Sequence, residues 1–181
     1  VIHHVACRDR EFAMKQHLQL LAGYHVWAFE TLFEALLPLD DDRYRADCGL
    51  FFRSIHGTLN HLLVADSVWF GRVIGQPFTV SGLDAELESE RETLEQRLCA
   101  HSAHWQHWLK DRSAAEIAAP LAYSNMSGTR FKQETATLLL HVFNHASHHR
   151  GQISAAITGF GLDAPEMDLI WYLRRVETPL G

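Results

Sequence analysis

The chain is poor in cysteine, with only Cys7, Cys48 and Cys99, and no two of them form a C-x-x-C pair. An odd number of widely separated cysteines argues against a disulfide framework, and the missing pair argues against a thiolate zinc site. We therefore expect a protein of the reducing cytoplasm.

Long apolar runs are also missing. No stretch approaches the roughly 18 consecutive apolar residues of a membrane span. The N-terminal sequence VIHHVACRDREFA reaches charged residues too early to contain the apolar centre of a signal peptide. The sequence therefore predicts no membrane partner.

The chain also lacks an excess of positive charge. The 16 Lys and Arg residues are outnumbered by 22 Asp and Glu, which gives a net charge of −6. Binding to nucleic acid depends on clustered Lys and Arg, so no nucleic-acid partner is expected. With 47% hydrophobic and 21% charged residues over 181 positions, the chain has the composition and length of one globular domain.

Apolar residues recur at three- and four-residue steps through most of the chain, which is the spacing of amphipathic helices. The pattern predicts four long helices, at about residues 14–37, 51–74, 84–110 and 133–158. Asp84 is the predicted N-cap of the third helix. The tail PEMDLIWYLRR predicts one more short amphipathic helix.

No alternating pattern predicts a sheet, although Pro and Gly between residues 118 and 131 indicate a loop with a short hairpin-like excursion. Four long helices with one apolar face each are most simply buried as an all-α four-helix bundle. The predicted core includes Leu18, Leu32, Leu59, Trp69, Leu98 and Leu138.

Residues 1–13 precede the helical pattern, which begins around Met14. We interpret them as an N-terminal extension, either disordered or an upstream start, a processing product or a remnant of cloning. The domain proper then covers 14–181. A metal site at His3, His4 and Cys7 is the alternative interpretation. A loose tail is favoured because chain termini usually stay mobile unless they are tied down.

The stretch HVFNHASHHRG, residues 141–151, contains four histidines. On a helix His141, His145 and His149 lie along one side, whereas His148 lies about 60° from His145, towards the flank of the bundle. An i, i+4 pair of imidazoles can bind one metal ion, as in H-E-x-x-H. The missing glutamate disfavours a zinc peptidase, and a chance pairing is the alternative in a chain with 13 histidines.

Four segments occur in order between Met14 and Arg175: YHVWAFETLFEAL, SIHGTLNHLLVADSVWFGRV, HVFNHASHHRGQI and DLIWYLRR. Together they resemble the DinB-like (DinB/YfiT-type) metalloprotein superfamily. The resemblance implies a four-helix bundle in up-down-down-up order with a short C-terminal helix.

The resemblance also implies a three-histidine metal site, with one ligand from the second helix and two from the last long helix. The matching positions in this chain are His61, His145 and His149, and His56 falls outside the match. His25 stands where the family often has asparagine. It is either a pocket residue or a core-edge histidine, and we favour the latter.

Three neutral imidazoles suit zinc or nickel best, and iron, manganese or copper as alternatives, and they leave at least one position for water or substrate. Relatives with assigned activities resemble S-transferases and isomerases that use a low-molecular-weight thiol such as glutathione, mycothiol or bacillithiol. In such an enzyme the metal binds the thiol as thiolate, and the sulfur attacks an electrophile.

The resemblance therefore implies a metal-dependent enzyme of the thiol-dependent S-transferase or hydrolase type, acting on a small-molecule substrate. The alternative is a non-catalytic metal- or ligand-binding protein of stress responses. Because family members commonly pair, a homodimer is expected.

Overall fold

The computed structural model describes residues 2–177, with side chains from Glu11 onward. Within this range the chain forms, in order, α1 (Ile2–Leu36), α2 (Asp41–Arg45), α3 (Ile55–Val73), α4 (Arg91–Asp111), α5 (Ala114–Ala118), β1 (Pro120–Ser124), β2 (Arg130–Glu134), α6 (Thr135–Gly159) and α7 (Leu169–Val176). The prediction of a mainly α-helical fold with a short C-terminal helix is confirmed. None of the helices between residues 2 and 177 combines the length and the apolar character needed to cross a membrane.

The four long helices form the bundle, in which α1 and α3 each pack against both α4 and α6. Buried apolar side chains form two clusters along its axis. The first cluster includes Leu36, Ile55, Leu94 and Ile157. The second includes Leu18, Leu109 and Leu139, with Val73 packed against it. Because α1 and α6 run from the second cluster to the first, and α3 and α4 run the opposite way, the helices have up-down-down-up order.

The predicted core is confirmed at five of its six positions, since only Trp69 is not fully buried. Trp69 lies at the edge of the second cluster, where its ring contacts Tyr123 of the hairpin and His141 of α6. The neighbour that covers Trp69 is thus a short exposed hairpin, which leaves part of the indole open to solvent.

The first helix begins at Ile2, well before the predicted start at Met14. Helical backbone therefore occupies most of the segment that we interpreted as an extension. The side chains of His3, His4 and Cys7 lie outside those that the structure describes.

The third long helix begins at Arg91, so the prediction of Asp84 as its N-cap is wrong. The side chain of Asn60 on α3 holds the preceding segment in a non-helical course. Its Oδ1 accepts hydrogen bonds from the backbone N–H groups of Leu87 (2.8 Å) and Glu88 (3.0 Å), and its Nδ2 donates to the Glu88 carbonyl (3.0 Å). These long-range bonds outweigh the local helical pattern.

The second long helix begins at Ile55, and Ser54 is its N-cap, with Oγ accepting from the Gly57 N–H at 3.0 Å. The residues just before it form a tight turn in which Arg53 has a φ of 70°. The carbonyl of Phe52 in this turn lies so close to Gly57 that an added Cβ there would be 2.2 Å from it. A glycine at position 57 therefore allows the turn to pack onto α3.

The hairpin-like excursion is a regular antiparallel pair in which Ala122 lies opposite Lys132 and Tyr123 opposite Phe131. At the other end of the sequence α7 packs against α1. There Tyr24 donates a hydrogen bond from Oη to the carbonyl of Met167 at 2.7 Å.

Candidate metal centre

Three histidines from two helices meet between α3 and α6. His61 comes from the middle of α3, and His145 and His149 lie one turn apart on α6. One ring nitrogen of each lies within 4.8 Å of the others, and the Nε2 atoms of His61 and His145 are 3.2 Å apart. The structure thus brings together the three histidines that the resemblance implied.

The ring of His61 is fixed on two sides. Its Nδ1 lies 2.8 Å from the carbonyl oxygen of Leu83, and the Phe52 ring stacks on it with centroids 3.8 Å apart at 15°. A carbonyl only accepts hydrogen bonds, so the neutral imidazole carries its hydrogen on Nδ1. The lone pair is then on Nε2, which faces His145.

His149 is oriented in the same way by Gln152. Its Nδ1 lies 2.8 Å from Oε1 of Gln152, and Nε2 of Gln152 donates to Nε2 of His148 at 3.2 Å. A hydrogen bond to the second nitrogen of a metal-binding histidine commonly fixes the tautomer and the ring orientation. The sequence pattern did not predict this role of Gln152, although its i, i+3 spacing from His149 was a usable signal.

The electrostatics of the cluster favour neutral imidazoles. Burial, with a smaller effect of the neighbouring histidines, lowers the pKa of His145 to about 3. Burial likewise lowers the pKa of His149 to about 4 and that of His61 below its usual 6.5. All three rings are therefore uncharged at neutral pH, which is the protonation state that binds metal.

The donor set fits one divalent ion. Two nitrogens that bind a tetrahedral ion at about 2.0 to 2.1 Å lie roughly 3.3 Å apart, close to the 3.2 Å between the Nε2 atoms of His61 and His145. Among the described side chains no carboxylate or thiol joins the three histidines. A tetrahedral ion held by them would keep one position for water or another ligand.

The other histidines near the stretch 141–151 stay outside the cluster. His141 packs its ring against Trp69 and against His145, with centroids 5.2 and 5.6 Å away, but belongs to no ligand group within the described residues. His148 is exposed and contacts Gln152, and His56 on α3 lies 3.2 Å from Glu86.

His25 is fully buried in the bundle rather than at the edge of its core. Its Nδ1 accepts a hydrogen bond from Nη1 of Arg150 at 3.3 Å, and its Nε2 lies 3.7 Å from Oδ1 of Asp66. Trp105 donates to the same carboxylate oxygen at 2.6 Å. His25 also lines a small cavity that reaches His145. The interpretation as a core-edge histidine, which we favoured, is therefore wrong, and the alternative of a pocket residue agrees with the structure.

The fold and the cluster define a class: a four-helix bundle with a candidate divalent-metal centre made by three histidines of two facing helices. Comparison with known proteins agrees. The family model described as "DinB family" matches residues 14–178. The chain is also 28% identical over 174 residues to Protein DinB of Bacillus subtilis (strain 168), covering 93% of this chain and 97% of that protein. The chain belongs to the DinB family.

Proposed function

We propose that the protein is a metal-dependent enzyme of the thiol-dependent S-transferase or hydrolase type, and that His61, His145 and His149 bind its divalent metal ion. The observation that carries the proposal is the three-histidine cluster, which has no fourth protein ligand among the described side chains. Catalytic metal sites keep a position open in this way, whereas structural sites are closed by four protein ligands. Imidazole ligands suit zinc, nickel, iron and copper. Of the divalent metals we propose zinc or nickel, with iron, manganese or copper as alternatives.

No cysteine among the described side chains lies in the cluster, so we infer that a small molecule supplies the sulfur in such a reaction. Neither Cys48 nor Cys99 belongs to the cluster, and burial raises the pKa of the Cys99 thiol to about 11. A bound divalent ion supplies a Lewis acid that lowers the pKa of a thiol or water bound to it. In the S-transferase reaction a bond forms between the thiol sulfur and an electrophilic carbon, the leaving group departs with its electron pair, and the thiol proton passes to solvent.

Two measurements test the proposal. Elemental analysis of protein purified without chelator is expected to give about one divalent ion per chain. A thiol-transfer assay with glutathione, mycothiol and bacillithiol, each with 1-chloro-2,4-dinitrobenzene, is then expected to show conjugation with one of them.

His145→Ala is expected to lose both metal and activity, while His148→Ala on the same helix retains stoichiometric metal. Metal without turnover on any of these thiols or on ester substrates would instead support a binding protein of stress responses. Metal content that follows His148 or His141 rather than His145 would contradict the assignment of the ligands.

We also propose that the protein is a cytoplasmic homodimer that acts on a small molecule. Exposed apolar side chains on α7, among them Ile170, Trp171 and Val176, support pairing because such a surface is commonly covered. Free Cys48 and Cys99 support a reducing compartment. Sedimentation velocity at micromolar concentration is expected to show a dimer, and a monomer alone would contradict the pairing.

A further inference from the structure

A second cavity lies outside the three-histidine cluster. It has a volume of about 430 Å³ and is bounded by the last turns of α3, the connection that follows them, and the β1–β2 hairpin. This volume is within the range of small-molecule pockets. Its apolar wall includes Val68, Phe78, Val80 and Met126, and its polar wall includes Arg72 and Asn125.

Among the described side chains, Arg72 is the one charged residue that lines this pocket. Although the chain has 22 acidic residues, none in the described part forms an ion pair with the half-buried Arg72. Its Nη2 donates to the carbonyl of Ser124 at 3.0 Å, which uses only one of the five N–H donors of the guanidinium. The pocket therefore contains an uncompensated positive charge with hydrogen-bonding capacity to spare.

Aromatic rings hold this guanidinium in place. Its Cζ lies 4.5 Å from the centroid of Trp69 and 5.0 Å from that of Tyr123. A stacked guanidinium presents its edge, where its N–H groups form a fork that matches a carboxylate. Asn125 lines the same pocket, and its Oδ1 already accepts from Ser127 and Thr129, so its amide N–H groups are the part left to bind a ligand.

A series of contacting aromatic rings connects the pocket to the candidate metal centre. The rings of Tyr123, Trp69, His141 and His145 contact one another in that order, at centroid distances of 5.2, 5.2 and 5.6 Å. The connection after α3 lines the pocket at Val80, and three residues later Leu83 accepts the hydrogen bond of His61. The rings of Tyr123, Trp69 and His141 thus lie between a ligand in the pocket and His145.

We propose that this pocket binds the carboxylate end of a small organic acid, with Arg72 as its anchor and the apolar part of the ligand against Phe78 and Met126. The proposal rests on the proposed function only in treating the pocket as part of the substrate site. Recognition of the carboxylate needs neither a metal ion nor a thiol, so the two proposals can fail separately.

The test uses 4-phenylbutanoate and its uncharged analogue 4-phenylbutan-1-ol as probes. Each is titrated into the metal-loaded protein and followed in ¹H–¹⁵N NMR spectra. The carboxylate is expected to shift the indole signal of Trp69 and the amide signals of the hairpin. We expect it to bind about tenfold or more tightly than the alcohol, because a guanidinium–carboxylate pair is charge-assisted and bidentate.

Arg72→Gln is expected to remove this preference and to leave alcohol binding unchanged, while Arg72→Lys keeps part of it because the charge remains. Arg174→Gln is the matched control, since Arg174 is an exposed arginine on α7 that also stacks on a tryptophan, Trp171, at 5.1 Å. If Arg72→Gln does not fold, the affinities of the two probes for the unaltered protein and for Arg72→Lys still test the proposal.

Equal affinity for the two probes, signal shifts remote from Trp69 and the hairpin, or a carboxylate preference that persists in Arg72→Gln would each overturn the proposal. A preference that depends on Arg72, in a protein without thiol-transfer or hydrolase activity, would overturn only the proposed function.

Discussion

At the scale of single residues, Gln152 links an exposed histidine to a candidate metal ligand. Its amide accepts from Nδ1 of His149 and donates to His148, so one side chain fixes the ring of His149 without belonging to the ligand group. In this arrangement Nδ1 of His149 is the donor, since it lies beside the amide oxygen of Gln152.

Replacing Gln152 by alanine is therefore expected to weaken metal binding roughly 10- to 100-fold while leaving all three imidazoles in the chain. Competition with a chromophoric chelator measures the change. Asn144→Ala is the control, because Asn144 is an exposed polar residue on the same helix. Equal metal affinity for the two variants would show that Gln152 does not position His149.

The lowered pKa values of His145 and His149 lead to a second prediction at this scale, which concerns the metal-free protein. The folded-state pKa is about 3 for His145 and about 4 for His149, below the ordinary 6.5. As pH falls from about 6.5 towards 4, the unfolded chain binds protons that the folded chain does not. The free energy of unfolding is therefore highest above that window and decreases as pH is lowered through it.

Urea unfolding at about pH 7, 6 and 5 measures this decrease. The double variant His145→Asn, His149→Asn is expected to show a shallower dependence on pH, because it has lost two of the groups with a lowered pKa. The remaining slope includes buried His25, whose pKa is also lowered by burial. An unchanged slope in the double variant would contradict the assignment.

At the scale of secondary-structure elements, two helical glycines differ in what surrounds them. A Cβ added to Gly57 on α3 would lie 2.2 Å from the carbonyl oxygen of Phe52, whereas one added to Gly151 on α6 meets nothing within 4 Å. Alanine is favoured over glycine inside a helix by about 1 kcal/mol when nothing opposes it.

Gly57→Ala is accordingly expected to destabilise the protein by about 1 to 2 kcal/mol, because a backbone carbonyl has to move. Gly151→Ala is expected to stabilise it by about 0.5 to 1 kcal/mol. Thermal unfolding of both variants measures the difference. If Gly57→Ala were as stable as Gly151→Ala, the turn at Phe52 would not pack on α3 as described.

The sequence predicted the elements whose structure depends on local spacing. Periodic apolar residues predicted the four long helices, and Pro120 and Gly128 predicted the hairpin region. The predicted start of α4 was wrong because the segment before Arg91 is held by hydrogen bonds to Asn60. Asn60 is far away in sequence, so no local pattern shows these bonds. The strand β2 has no alternating pattern because it is exposed on both faces, and β1 alternates over only five residues.

For the candidate site, resemblance and helical spacing pointed to His61, His145 and His149, and the structure brings them together. The groups that orient them were less predictable. The Leu83 carbonyl and the Phe52 ring reach His61 from irregular segments, whose course depends on tertiary contacts.

At the scale of the whole molecule, a metal ion at the cluster would connect α3 to α6, which are not consecutive in the chain. An ion that binds only the folded state stabilises it by about 4 kcal/mol at 1,000 times its Kd. Chelation is therefore expected to lower the melting temperature by roughly 10 °C. Differential scanning calorimetry with and without EDTA measures the shift.

His61→Ala is the control variant, because it removes the ligand that α3 contributes to the metal ion. EDTA is expected to change its melting temperature by much less than that of the unaltered protein. A similar response to EDTA in both proteins would place the stabilising ion elsewhere.

Because of the direction of the long helices, a long connecting segment is needed between α3 and α4, and this segment contributes to the site. Since α3 and α4 run the same way, the segment between Val73 and Arg91 has to return along the full length of the bundle, where a reversing helix would need only a short turn. That return segment provides the carbonyl of Leu83 to His61 and a wall of the pocket at Arg72. A variant in which a tight turn connects α3 directly to α4 could keep the hydrophobic core. It would lose the backbone segment that orients His61.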